Sequence, residues 1–270
     1  MPRQRHRPSF HETIEYIGPR PKKPKRAPSF LGGWFLLLIA GAIAFYFGRP
    51  LLPSLRAHQE RATVARADQL IARLAPSASF GERLAAAALQ RTKADVDYDP
   101  SFYGIPYPSG DVPSNRGYGP DVVIRSYRAL GIDLQQLVFE DMSSHFNAYP
   151  QLPEYGMRKG PDSNIDHRRV PNLQRFFSRF GVELPADRDV GHYSLGDVVI
   201  WQVGSDRHIG IVVPGPGERV SERWVVHNLN RGPVWEDCLF DFEVVGHYRY
   251  NGATKAPRKL AASESFSSRN

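Results

Sequence analysis

The chain has 270 residues, a formal charge of +7 and one cysteine, Cys238. Its length exceeds one average domain, and a lone thiol excludes an intrachain disulfide frame. Residues 1–29 hold eight Lys or Arg against Glu12 and Glu15, leaving only +1 on the remainder, which excludes the basic folded face that a nucleic-acid partner requires. The basic tail reads instead as a topological signal that can also meet anionic lipid. Phe30 to Gly48 then runs 19 residues without a charge, enough to cross a hydrocarbon core of roughly 30 Å. Lys22, Lys23, Lys25 and Arg26 precede it, and only Arg49 and Arg56 follow. This bias predicts a single-pass inner-membrane anchor with a cytoplasmic N-terminus and a periplasmic remainder. The competing reading is a cleaved signal peptide. The long leader, the long apolar run and the poor cleavage site at Gly48-Arg49-Pro50 argue against it.

From residue 51 to 95, Val64, Leu70, Ile71 and Leu74, then Leu84, Ala88 and Leu89, recur at helical spacing, predicting two helices parted at Pro76. Ser79 and Glu82 have capping-box spacing at the start of the second. Tyr98 to Pro120 carries five Pro, four Gly and four Tyr, which predicts an ordered loop or a lining. Gly119-Pro120-Asp121 opens a helix that Gly131 ends, and Asp133 caps another through Phe146. Pro171 starts a further helix with Leu173, Phe176, Phe177 and Phe180 toward the core. Strands follow over Val198–Val203, Ile209–Val213, Arg223–His227 and Glu243–Tyr250. Helices first and strands last predict an α+β fold with a small antiparallel sheet. The expected organisation is a basic cytoplasmic tail (1–29), a transmembrane helix (30–48), a juxtamembrane helical linker (49–78), a folded domain (79–250) and an unstructured tail (251–270).

Chemistry concentrates at His208, near the start of one strand, and His227, at the end of the next. Such a pair supplies the base and the orienting member of a nucleophilic triad but no nucleophile. In papain-like hydrolases the cysteine stands at a helix N-terminus, where the dipole lowers its pKa, ahead of the sheet that carries the histidine. The order of elements here fits that plan.

The runs Tyr107–Pro113, Asp121–Gln135, Glu140–Met142, Pro161–Leu173, Gly196-Asp197, His208–Ile211, His227-Asn228 and Gly246–Arg249 resemble a bacterial family of unknown function, number 1287, across roughly residues 80 to 250. That family is similar to the NlpC-type cell-wall cysteine peptidases, which hydrolyse amide bonds in peptidoglycan stem peptides. The resemblance implies a papain-like (NlpC-type) domain, with His208 as general base, His227 orienting it and Asn228 beside it. Where the family has Gly, any residue, Cys, Thr, Asp, this chain has Gly117-Tyr118-Gly119-Pro120-Asp121. Gly119 thus stands at the nucleophile position, and Pro120 removes an N–H from the first helical turn, where an oxyanion hole would draw donors.

Two residues offer substitutes: Ser114 in the preceding loop, and Cys238, whose apolar neighbours argue for core filling. Asp121, Arg125, Asp166, His167, Arg168 and Arg169 form the other polar concentration. They read either as a clamp for peptide carboxylates or as a loop held by ion pairs of Asp162 and Asp166 with Arg168 and Arg169. A metal site from Asp166, His167, His208 and His227 would be the alternative, but no pair of them has familiar ligand spacing, so neither a metal nor another cofactor is expected. Tyr103, Tyr107 and Tyr118 are candidate groove residues or ordinary core. The sequence therefore predicts a membrane-anchored periplasmic protein that binds peptidoglycan stem peptides or envelope proteins and has lost hydrolysis. The alternative is an active amidase or endopeptidase using a substitute nucleophile.

Overall fold

The computed structural model describes residues 18, 30–48, 52–156, 159–217, 219 and 221–253. The expected tails fall outside these residues, apart from Gly18 and 251–253. The chain divides into two compact units, Met1–Ala57 and His58–Asn270. In the first, α1 (Phe30–Gly48) is a 19-residue helix without a charged residue in its terminal turns. Its described side chains, within residues 33–43 and 45–46, are exposed, Trp34, Phe35, Leu36 and Leu37 among them. Among the described residues, no helix is long and apolar enough to cross a membrane.

α2 (Leu52–Leu74) begins in the first unit and continues into the second, where Ala67, Leu70 and Leu74 are buried. α3 (Phe80–Arg91) starts where Ser79 Oγ accepts from Glu82 N, and it buries Leu84, Ala85, Ala88 and Leu89. The proline- and glycine-rich loop that follows holds β1 (Asp97–Tyr98) and β2 (Arg116–Gly117), which pair in parallel. α4 (Gly119–Arg128) begins with proline in its first turn, and Asp121 accepts from the Tyr118 N–H at 2.9 Å. A carboxylate there satisfies a donor that the helix leaves unpaired and faces the positive end of its dipole. Gly131, at φ +79°, turns the chain into α5 (Leu134–His145), where Asp133 caps Gln135 N at 3.0 Å. α6 (Val170–Phe180) buries Leu173, Phe176 and Phe177. These helices lie close to their expected positions, since the starts of α3 to α6 each rest on a cap or a proline legible in the sequence.

Among the described residues the main sheet is antiparallel, in the order β3 (Val182–Glu183), β8 (Glu243–Arg249), β4 (Val198–Val203), β5 (Asp206–Pro214), β6 (Arg223–His227), β7 (Val234–Glu236). The two edge strands were not foreseen, because two or three residues carry no period-2 signal. Both faces are buried. Val198, Ile200, Ile209, Ile211, Val213 and Val226 join the helices in the larger core, while Val199, Trp201, Val212 and Val225 meet Tyr193, Cys238 and Leu239 in a smaller one. The arrangement is a mixed α+β fold in which α4 packs against β5 and β6.

Candidate functional site

Register brings the histidines together. Gly210 of β5 lies opposite His227 of β6, so His208, two residues earlier, shares the face and sits diagonal to it. His208 Nε2 and His227 Nδ1 are 2.9 Å apart, and both rings are buried. Trp201, directly across from His208 in β4, stacks on it at 5.7 Å between ring centroids. One step further, His227 Nε2 lies 3.3 Å from Glu236 Oε2. His227 pairs with Val234, so Glu236 reaches the same face by the same period of two.

The other end of this chain points at the start of α4. A Cβ placed on Gly119 would lie 2.9 Å from His208 Cε1, 3.1 Å from its Nδ1 and 3.4 Å from the Ile209 carbonyl oxygen. Gly119 therefore faces the imidazole nitrogen opposite the one that meets His227. With the Glu236 carboxylate accepting from His227 Nε2–H, His227 Nδ1 accepts from His208 Nε2–H. The His208 Nδ1 lone pair is then left facing Gly119, the tautomer a nucleophile's proton would need.

Two properties work against proton transfer there. Burial, with a smaller contribution from His227, pushes His208 down to about 3. Burial lowers His227 as well, against the pull of Glu236. A base held that far below neutrality accepts a proton poorly. Pro120 brings no N–H to the first turn of α4.

Asn228 ties the sheet to this turn. Its Nδ2 donates to Gly117 O and its Oδ1 accepts from Gly232 N, each at 3.1 Å. It is thus a positioning residue for the segment leading into Gly119.

The remaining polar residues predicted for the site are largely spent on the fold. Arg168, fully buried, donates through Nε and Nη2 to the two Asp121 carboxylate oxygens at 2.8 and 2.9 Å. It also donates to Ser101 O, and its own carbonyl accepts from the Tyr118 hydroxyl. Arg125 donates to both Asp111 carboxylate oxygens and to the carbonyls of Val112 and Pro113. Asp166 accepts from Asp162 N at 2.6 Å and pairs with Arg169 at 3.2 Å. Arg169 also sits over the Tyr155 ring at 3.8 Å. The loop is therefore held internally, but Arg168 pairs with Asp121, 47 positions away, rather than with Asp162 or Asp166. His167 is buried without a hydrogen bond at Nδ1, and desolvation pushes it down to about 4.

Of the substitute nucleophiles, Ser114 is exposed on its turn. Cys238 Sγ lies 3.4 Å from His227 Nε2, on the side of the histidine pair away from Gly119. Burial raises its pKa to about 12. Nothing local in the chain marks this cysteine as lying beside His227, nor Glu236, because β7 was not foreseen.

Concavities are unequal. Beside the first turn of α4 a cavity of about 10 Å³, lined by Arg91, Gly117, Tyr118, Asp121, Arg125 and Asn228, has room for one water. A cleft of about 550 Å³ lies elsewhere, and among the described residues Arg66, Arg73, Arg219, Arg223 and Glu82 line it.

The family model described as "Domain of unknown function (DUF1287)" matches residues 85–250. The uncharacterized protein YijF of Escherichia coli (strain K12) is 45% identical over 168 residues, covering 62% of this chain and 80% of that protein. No solved structure matches. The matched segment spans every element from within α3 to the end of β8, including Gly119 and the histidine chain, and the chain belongs to the DUF1287 family.

Proposed function

We propose that this protein is a papain-like hydrolase scaffold without its nucleophile, carried at the bacterial cell envelope and used to bind rather than cleave peptidoglycan stem peptides. The observation that carries the reading is the approach of Gly119 to His208. A helix start aimed at one imidazole nitrogen, with the other held by His227, is the layout of a cysteine-hydrolase site. The side chain that would react is absent, and the imidazole is tuned away from base catalysis. For binding, the cleft is lined by Arg73 and Arg219 beside Arg66 and Arg223, which donate to backbone carbonyls, and guanidinium groups take carboxylates, which stem peptides carry. In the sequence, the run of residues 30–48 without a charge and the basic segment before it support a single-pass inner-membrane anchor, N-terminus inside, with the folded domain in the periplasm.

The test is incubation of the full chain in detergent with purified peptidoglycan, followed by sedimentation and mass spectrometry of the supernatant. Co-sedimentation without released stem-peptide fragments supports the reading. Fragment release that is lost in His208→Ala establishes an active amidase and ends it. Absence of both binding and release also ends it. A periplasmic reporter fused after residue 253 checks the topology: activity supports it, and silence with a cytoplasmic reporter active reverses it.

A further inference from the structure

The hairpin that ends the histidine chain gathers three different metal-ligating side chains at one point. His227 Nε2, Glu236 Oε2 and Cys238 Sγ lie within 4.8 Å of one another. The nitrogen stands 3.3 Å from the carboxylate oxygen and 3.4 Å from the sulfur. Tetrahedral zinc bonds, roughly 2.0–2.2 Å to nitrogen or oxygen and roughly 2.3 Å to sulfur, place ligand atoms roughly 3.4 Å (N to O) and roughly 3.6 Å (N to S) apart. The two separations from His227 Nε2 therefore need only a few tenths of an ångström of relaxation to share one ion, and the carboxylate oxygen and the sulfur, within 4.8 Å of each other, must come to roughly 3.6 Å.

The surroundings suit a metal as well as the distances do. Glu236 keeps its second oxygen on Arg231 Nη2 at 2.9 Å, and His227 keeps Nδ1 on His208 at 2.9 Å. Metal-bound carboxylates and imidazoles are commonly oriented by such outer partners. The Glu236 side chain is 37% exposed, against 4% for His227, which gives an ion a way in. Cys238 is close to fully buried in the smaller core beside Trp201 and Leu239, so its sulfur is held in place.

The geometry points to a zinc-class divalent cation site formed by His227 Nε2, Glu236 Oε2 and Cys238 Sγ, with a fourth position open to water. Thiolate together with imidazole favours zinc over magnesium or calcium. Binding replaces the S–H bond of Cys238 with an S–metal bond, and the released proton goes to solvent. The site escapes sequence inspection because His-x8-Glu-x-Cys is not a familiar ligand spacing; only the β6–β7 register assembles it.

The probe is Co²⁺, titrated into chelator-stripped full-length protein, with Zn²⁺ added afterwards as competitor. The expected result is one equivalent bound, with a thiolate-to-cobalt charge-transfer band that Zn²⁺ abolishes. Glu236→Gln, at a half-exposed position, should leave the circular dichroism unchanged and weaken cobalt binding by about tenfold or more. Cys238 is the sole cysteine, so the band reports on it alone and needs no second variant. Absence of the band at saturating Co²⁺, or an unchanged affinity in folded Glu236→Gln, overturns the site. Either result leaves the peptidoglycan assay unaffected, so the two readings fail separately.

Discussion

The imidazole of His208 fills the volume that a side chain at position 119 would need: a Cβ on Gly119 would stand 2.9 Å from Cε1, closer than real Cβ contacts. Gly119 is not among the glycines with positive φ, so its backbone does not demand glycine. What excludes a larger residue is the ring. Gly119→Ala should therefore destabilise the folded unit by about 1–2 kcal/mol through overpacking, although alanine normally gains about 0.5–1 kcal/mol over glycine in a helix. Urea unfolding of the two proteins side by side decides it, and a gain in stability contradicts the placement of His208.

Installing the Cys-Thr pair that the resemblance implies tests the same relationship chemically. In Gly119→Cys with Pro120→Thr, the ring must shift by a few tenths of an ångström, and the new thiol then sits at the positive end of α4 beside His208. Its alkylation by iodoacetamide should outpace that of Cys238, raised by burial to about 12, by at least about tenfold near pH 8. Peptide mapping of the alkylated sites gives the ratio. Equal rates would show that this helix start activates nothing.

The Asp121–Arg168 pair is buried on both sides, with 1% of the arginine side chain and 4% of the carboxylate exposed. Arg168→Met leaves a buried carboxylate without its counter-ion and should cost about 3–5 kcal/mol. Adding Asp121→Asn should recover part of that loss, since the orphaned charge goes with it. A double-mutant cycle on unfolding free energies checks the coupling, and strict additivity of the two losses rules the pair out as a structural lock.

Acid should destabilise this protein before its carboxylates titrate. His208 at about 3, His167 at about 4 and His227, also lowered, bind protons in the unfolded chain near pH 6.5 but not in the folded one. Between about pH 6.5 and 4 the unfolded state thus holds more protons, and stability falls with falling pH by at most about 1.4 kcal/mol per unit per histidine. His192, raised by exposed Asp187, has the opposite sign but is solvent-screened. Asp141, kept low against its burial by Arg179 and Tyr149, adds its loss only below about pH 4. Unfolding midpoints at pH 7.5, 6 and 5 should descend, and His167→Asn should flatten the descent. A level profile would mean that these rings are solvated.

The sequence carried the elements that have local punctuation. Ser79, Pro120, Asp133 and Pro171 each mark a helix start that the fold uses, and the β5 and β6 strands were legible from their apolar runs. Placing Gly119 against His208 depended on the order of elements and on a family pattern. What stayed hidden was contact at a distance. Buried Asp197 gathers buried His247 and half-exposed Arg249, and Asp141 holds Arg179 through two hydrogen bonds, yet nothing local couples residues some 40 to 50 positions apart. Many of the polar motifs that look like chemistry in one dimension serve these fold-holding pairs.

The row from Gly119 through His208 and His227 to Glu236 has a polarity. While Glu236 accepts from His227, each ring passes its hydrogen outward, and the nitrogen facing α4 is an acceptor. Once a cation takes His227 Nε2, its hydrogen must reside on Nδ1, His208 must accept it, and the nitrogen facing α4 becomes a donor. An event at the hairpin rim would then reverse which kind of chemical group the helix start can greet, without moving the backbone.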